Sequence, residues 1–316
     1  MASNSSGNDG HELRTDFLGR TVVLTPARAG RPHEMGASPA PLGSPADCYF
    51  CPGNESKTPP EIERVPSQKN TPWSLRCFPN AFPAFSRSFP KAFGSHEIIV
   101  ETPLHGRHLS ELDEAAMARY LLFLAKRVRS QGNERKLKAV ALFKNEGLAG
   151  GASLAHAHTQ LVGLPIVPPE LKKIEKVCKS SCPFCLLSVD DQYSKIIEDG
   201  PFLALAPWAP RFNHEVWIVP RAHTPSLTDL DENSISALAR TLRSILRAQD
   251  SSLNYPAYNL IFHLAPLRQK NFHFHLELCP RIGQWAGFEL GFGAVMNSVR
   301  PEETARLYKD WIRTNS

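Results

Sequence analysis

Short apolar runs bounded by Gly, Pro and polar clusters alternate along this chain with two long stretches of helical periodicity. The short runs, rich in Val, Ile, Leu and aromatic residues, predict strands at 20–24, 97–100, 139–143, 161–164, 216–219, 258–262 and 274–278. Leu112, Ala116, Phe123, Leu124 and Val128 recur on one side of a helix expected to be capped by Ser110 and to run to about Arg129. Leu230, Leu238, Leu242, Ile245 and Leu246 do the same for a second helix, with Thr228 as its expected cap. Many strands joined by short connections and one long helix per half indicate an α+β fold with a mostly antiparallel sheet. Residues 27–60 are Pro- and Gly-rich and read as irregular, and the charged segment 172–177 reads as a bridge between halves.

The two halves repeat one another. His96 precedes His105 by nine residues and His214 precedes His223 by nine; His105 to His156 is 51 residues and His223 to His273 is 50. Leu109 through Glu114 matches Leu227 through Glu232 at a shift of 118. A period this long exceeds the ~20–50 residues of a solenoid and implies two domain-sized copies. The organisation expected is a disordered tail at 1–10, a catalytic half at 11–170 and a second half at 171–316.

Composition narrows the function. The 316 residues carry a net charge of +5 without a dense basic stripe, which suits phosphate-bearing ligands and argues against nucleic acid. No apolar run approaches the ~20 residues of a membrane span and there is no signal-peptide core, so a cytoplasmic location is expected. The cysteines fall in Cys-x-x-Cys pairs matched with histidines, a metal pattern of a reducing compartment. Of the remaining cysteines, Cys77 and Cys279 read as buried thiols, and Cys178 lies near Cys182, where it could serve as a spare ligand.

Cys48, Cys51, His105 and His156 form one candidate ligand set; Cys182, Cys185, His223 and His273 form the other. Four soft ligands leave no open position, so two structural zinc sites are expected. In His156-Ala-His158-Thr-Gln160, strand alternation lets His156 hold metal while His158 and Gln160 line up beside it. The preceding loop, Asn145 through Ser153, has glycines whose backbone N–H groups can approach an anion. A neutral imidazole beside such a loop is a good nucleophile toward phosphorus. The second half reads His273-Phe-His275-Leu-Glu277 without the glycines, and a carboxylate there would repel phosphate.

These residues make the chain resemble the galactose-1-phosphate uridylyltransferases and the related ADP-glucose phosphorylases, within the histidine-triad superfamily. The likeness spans nearly the whole chain and is most specific from Phe143 to Gln160. It implies that His158 attacks the α-phosphorus of a nucleoside diphosphate sugar, expels a sugar 1-phosphate and carries the nucleotide covalently until an acceptor phosphate takes it. Gln160 would bond the transferred phosphoryl group; Asn80, Asn145, Gly151 and Ser153 would hold the nucleotide and its phosphates. Arg28 and Arg31 would meet the second phosphate, in the family often across a dimer interface, so a homodimer is expected. Glu289 would bind sugar hydroxyls, although the family's Lys is absent from the segment Gly283–Glu289 and Phe288 stands for Tyr. Uridylyl transfer to a hexose 1-phosphate is the first expectation. Phosphorolysis of ADP-glucose is the alternative, favoured by Cys182, Cys185 and the run Gly287–Gly291; a non-catalytic, zinc-stabilised nucleotide-binding protein is the third.

Overall fold

The structure, a computed structural model, describes residues 11–26, 43–66, 72–198 and 200–315. The tail at 1–10, Arg28 and Arg31 lie outside the described residues.

A hairpin of β1 (Glu12–Thr15) and β2 (Thr21–Leu24) opens the fold. The first half then supplies β3 (Glu63–Val65), β4 (Leu75–Pro79), β5 (Ser95–Val100), α1 (Glu114–Gln131), β6 (Ala139–Glu146) and β7 (His158–Leu164). After α2 (Pro169–Cys178), the second half supplies β8 (Ser194–Ile197), β9 (Phe202–Ala206), β10 (Val216–Pro220), α3 (Glu232–Leu253), β11 (Tyr258–His263) and β12 (His275–Pro280). A short α4 (Gly287–Phe292), β13 (Ala294–Asn297) and α5 (Pro301–Asn315) complete it, β13 pairing in parallel with β2.

Ten strands make one open antiparallel sheet in the order β3-β4-β5-β7-β6-β11-β12-β10-β9-β8. Read from the centre outward, the halves run in the same order: β6, β7, β5, β4, β3 on one side and β11, β12, β10, β9, β8 on the other. The seam between copies is the β6–β11 pair, which sets Asn145 opposite Asn259 and Phe143 opposite Ile261. The α+β class and the antiparallel sheet are thus as expected from the sequence.

Strand alternation sends Ile99, Leu142, Leu161, Leu260 and Leu276 to the face covered by α1 and α3, where Leu121, Leu124, Leu238 and Leu242 meet them in the main core. Burial of each such side chain is worth about 1.5–3 kcal/mol, and truncating Leu242 to Ala would cost about 2–5 kcal/mol. The opposite face carries His158, Gln160, His275 and Glu277.

Both long helices begin later than the periodicity suggests. Asp113 accepts the Ala116 N–H and caps α1, and Asp231 accepts the Ser234 N–H and caps α3. Ser110 and Thr228 instead sit in 3₁₀ turns, each separated from its helix by an extended leucine, Leu112 or Leu230. Asp caps as well as Ser and stands directly before the apolar stripe. Segment 172–177 is not a bare connector but part of α2, which starts with Pro at its first helical position. Among the described residues no helix is long and apolar enough to cross a membrane.

Candidate active site

Two equivalent Cys/His clusters flank the sheet. In the first, His156 Nδ1 is 3.5 Å from both Cys48 Sγ and Cys51 Sγ, and His105 Nδ1 is 3.4 Å from Cys51 Sγ. In the second, His273 Nδ1 is 3.4 Å from Cys182 Sγ and 3.5 Å from Cys185 Sγ, and His223 Nδ1 is 3.5 Å from Cys185 Sγ. A tetrahedral metal with metal–sulfur bonds of about 2.3 Å and metal–nitrogen bonds of about 2.0–2.1 Å has S–N edges of roughly 3.5 Å. The donor sets therefore fit a four-coordinate soft metal. The far ring nitrogens are fixed as well: His156 Nε2–H donates to the Thr102 carbonyl (2.7 Å) and His273 Nε2–H to the Pro220 carbonyl (2.8 Å). Those bonds select the tautomer whose Nδ1 lone pair faces the sulfurs. Cys178 Sγ lies 3.6 Å from Cys182 Sγ, beside the second set.

His158 opens β7 two residues after His156. Its Nδ1–H donates to the His156 carbonyl (2.8 Å), which leaves Nε2 with a bare lone pair. The ring is 5 % exposed, and burial pushes its pKa down to about 4. The imidazole is then neutral near pH 7, the state in which it is nucleophilic. Phe50, inside the Cys48–Cys51 turn, packs edge-on at 5.3 Å.

Gln160 is one pleat further along the same face, opposite Ile98 on β5 and Phe143 on β6. His96, on that face of β5, reaches it diagonally: His96 Nε2 is 2.9 Å from Gln160 Oε1. The Ala84 N–H donates to His96 Nδ1 (3.3 Å), so Nε2 carries the proton and the Gln160 oxygen accepts it. Gln160 is left with its NH₂ group as a donor. The Asn80 amide nitrogen lies 3.2 Å from the same His96 nitrogen, a close approach of two donors and not a hydrogen bond in this tautomer, while Asn80 Oδ1 accepts the Phe82 N–H (2.8 Å). The sequence used His96 only as a landmark of the repeat; its position on the strand face, two residues before Ile98, was the available signal.

The Gly loop follows β6. Gly150 packs so tightly that a Cβ would come within 2.7 Å of the Tyr258 carbonyl oxygen, and Gly151 adopts φ +85°, where a Cβ would lie 3.8 Å from Asn145 Nδ2. Asn259 Nδ2 donates to both Asn145 Oδ1 (2.9 Å) and the Gly150 carbonyl (2.7 Å), tying the loop to the seam. Ser153 is exposed at the loop's exit. Glu289 is bound within its own segment, accepting the N–H groups of Ala286 (2.9 Å) and Met296 (3.3 Å).

The second copy has the same frame with a different filling. His275 Nδ1–H donates to the His273 carbonyl (2.9 Å), and Phe184 packs on it at 4.5 Å as Phe50 does on His158. Glu277, however, is fully buried, ion-paired with Arg20 (2.6 Å) and Arg211 (2.5 Å), and 3.1 Å from His263 Nε2. The two guanidinium groups hold its carboxyl well below the usual range in spite of burial. The second copy thus places a carboxylate already paired with two cations where the first copy has the Gln160 amide.

A buried ion cluster lies behind β7, on the face opposite His158. Lys144 Nζ is fully enclosed between Glu101 (3.0 Å) and Glu146 (2.9 Å). Thr159 donates to Glu101 (2.6 Å), and Tyr120 meets Thr159 at 2.7 Å. The flanking carboxylates keep Lys144 charged, its pKa raised to about 12; Lys144 and His108 together hold Glu146 down to about 2 against its burial, while burial raises the Glu101 carboxyl. Sequence reading gave these residues no role, although a Lys inside an apolar strand was a visible signal.

A family model described as the N-terminal domain of a domain of unknown function (DUF4931) matches residues 80–167. The chain is 31% identical to the ADP-glucose phosphorylase of Arabidopsis thaliana over 98% of this chain and 97% of that protein. It is 27% identical to the galactose-1-phosphate uridylyltransferase of Thermotoga maritima over 75% of this chain and 85% of that one. The crystal structure of the Arabidopsis ADP-glucose phosphorylase with bound ADP-glucose superposes with a TM-score of 0.86, at 30% identity, covering 95% of this chain and 99% of that one. With its duplicated sheet, paired Cys/His clusters and this degree of likeness, the chain belongs to the galactose-1-phosphate uridylyltransferase family, in which the ADP-glucose phosphorylases also fall.

Proposed function

We propose that the chain is a nucleotidyl-transferring enzyme that works through a covalent nucleotidyl-histidine on His158, with ADP-glucose as donor and inorganic phosphate as acceptor. The observation that carries this reading is buried, neutral His158, whose Nε2 has no partner among the described residues, beside the Gln160 amide, whose NH₂ group likewise has none among them. His158 Nε2 attacks the α-phosphorus; a P–N bond forms as the bond to the bridging oxygen breaks, and glucose 1-phosphate leaves. The His156 carbonyl, holding Nδ1–H, stabilises the positive charge that develops on the ring. Gln160 donates to a non-bridging oxygen, and neutral donors of this kind steady the transferring group. Phosphate then attacks the same phosphorus, ADP departs and His158 is restored. Asn80, Asn145, Gly151 and Ser153 hold nucleotide and phosphates in this reading. Arg28 and Arg31 neutralise the second phosphate, Glu289 meets the sugar, and the working unit is a homodimer.

Each Cys/His cluster holds one zinc ion in this account, which ties distant strands together and takes no part in the chemistry. The adenylyl reading is supported by likeness over nearly the full chain at 31% identity. Uridylyl transfer to a hexose 1-phosphate is the second reading, favoured by the 27% identity to a uridylyltransferase. Incubation with ADP-glucose or UDP-glucose, each with phosphate or galactose 1-phosphate, separates them. Fast release of glucose 1-phosphate and ADP from ADP-glucose and phosphate is expected; preference for UDP-glucose with galactose 1-phosphate would establish the second reading instead.

A further inference from the structure

Asn259 lies on β11 at the seam between the halves, directly opposite Asn145 on β6. Asn145 is two residues beyond Phe143, which pairs with Gln160, so it shares that sheet face and lies toward the His158 end of β7. Asn259 Nδ2 donates to two acceptors, Asn145 Oδ1 at 2.9 Å and the Gly150 carbonyl at 2.7 Å. Its own Oδ1 accepts from Arg281 Nη1 at 2.9 Å. Arg281, just past the end of β12, is held in turn. Its main-chain N–H donates to the Ala257 carbonyl (2.7 Å), and its guanidinium lies 5.3 Å from the centre of the Phe212 ring. It has no ion pair among the described residues, so this arginine is committed to an amide oxygen instead of a carboxylate.

A guanidinium only donates and a carbonyl only accepts, whereas a side-chain amide does both. Arg281 therefore selects the oxygen of Asn259, and the Gly150 carbonyl selects its nitrogen. A flipped Asn259 would set NH₂ against guanidinium and oxygen against oxygen. With Asn259 locked from both sides, Asn145 must turn its oxygen to Asn259 Nδ2. The Asn145 NH₂ group has no partner among the described residues and lies beside Gly151, where a Cβ would come 3.8 Å from it. An N–H donor at the glycine loop attracts a phosphate oxygen; the amide oxygen in the same place would repel it.

We propose that Asn259, locked by Arg281, is a positioning residue that sets the polarity of the Asn145 amide, so that Asn145 meets the nucleotide's phosphates with a donor. The inference rests on the reading of Asn145 as a residue that holds the nucleotide. The half without a nucleophile thereby serves the site of the half that has one.

Isothermal titration of the full chain with ADP and with UDP tests it, read with whichever nucleotide binds more tightly. Asn145→Ala should weaken binding about tenfold or more, the worth of one hydrogen bond to a charged group. Asn259→Asp keeps an acceptor for Arg281 but turns a second one toward Asn145, whose amide must then flip; binding should fall by a similar factor. Asn259→Leu, uncharged and of similar size, should also weaken it. Arg281→Met should do so by less, because the Gly150 carbonyl still orients Asn259. In the Asn145→Ala background all three changes should alter binding by about twofold at most. Losses that multiply in that background overturn the inference, because Asn259 then acts through the fold or on the ligand directly. Full-strength binding by both Asn259 variants, with Asn145→Ala impaired, overturns the inference alone. Full-strength binding by Asn145→Ala, or binding of neither nucleotide by the unaltered protein, overturns the reading of Asn145 as well.

Discussion

His96 Nε2 lies 2.9 Å from Gln160 Oε1, a diagonal contact across the β5–β7 pair. Because the Ala84 N–H occupies the other ring nitrogen, this contact has one polarity and fixes which end of the Gln160 amide is free. His96 is on this account a positioning residue. His96→Ala should slow nucleotidyl-enzyme formation about tenfold to a hundredfold, the range of one misaligned donor. The Michaelis constant should change far less. Single-turnover rates of His96→Ala, Gln160→Ala and the double variant check this: the double variant should be little slower than Gln160→Ala alone, whereas independent effects would multiply.

The metal clusters should be separable. Cys48→Ala removes one ligand from the first set only, so metal content measured by mass spectrometry should fall from two zinc ions per chain to one. The melting temperature should drop, because metal binding free energy is folding free energy. Unchanged metal content in Cys48→Ala would contradict the assignment of that cluster.

Lys144→Met should destabilise the chain by about 3–5 kcal/mol, since it leaves Glu101 fully buried without its cation and Glu146 with His108 alone. Adding Glu101→Gln should recover part of the loss, which urea unfolding of the single and double variants measures. A loss below about 1 kcal/mol would mean that the cluster is solvated in solution.

His214, stacked against Tyr308 and beside Thr304, has its pKa lowered to about 4 by burial. Its folded value is below its unfolded value, so the unfolded chain takes up the proton first as pH falls. The stability it contributes is present above about pH 6.5 and is lost progressively between about 6.5 and 4. After discount for its partial exposure the loss is on the order of 1–2 kcal/mol. His214→Gln should flatten the stability profile in that window; an unchanged slope would contradict the burial account.

Much of this fold was legible because the chain states it twice. The paired Cys-x-Phe-Cys turns, the two His-x-His runs and the amphipathic stripes of α1 and α3 carry their own spacing, and spacing survives without coordinates. The outer strands β3, β4 and β8 were missed because they are short and their patterning is interrupted, as by Arg76 and Pro79 in β4, whereas β9 is an unbroken apolar run, Phe202–Ala206, that was an available signal. The caps were misplaced because Ser110 and Asp113 both suit the role and only backbone geometry chooses between them. Glu277 was read as a group that repels phosphate. Its actual partners, Arg20 and Arg211, are distant in the chain, and only the sheet brings them together. His96 is hidden for the same reason: its role is a diagonal between strands, and one-dimensional periodicity does not record diagonals.

The central claim is that His158 carries the nucleotide covalently. Intact-mass spectrometry of the protein quenched after brief exposure to ADP-glucose without phosphate tests it most directly. The expected result is a gain of one AMP moiety in the unaltered protein, absent from His158→Ala and discharged by added phosphate. A His158→Ala protein that gains the same mass, or an unaltered protein that turns over substrate at full rate and never gains it, would contradict the account.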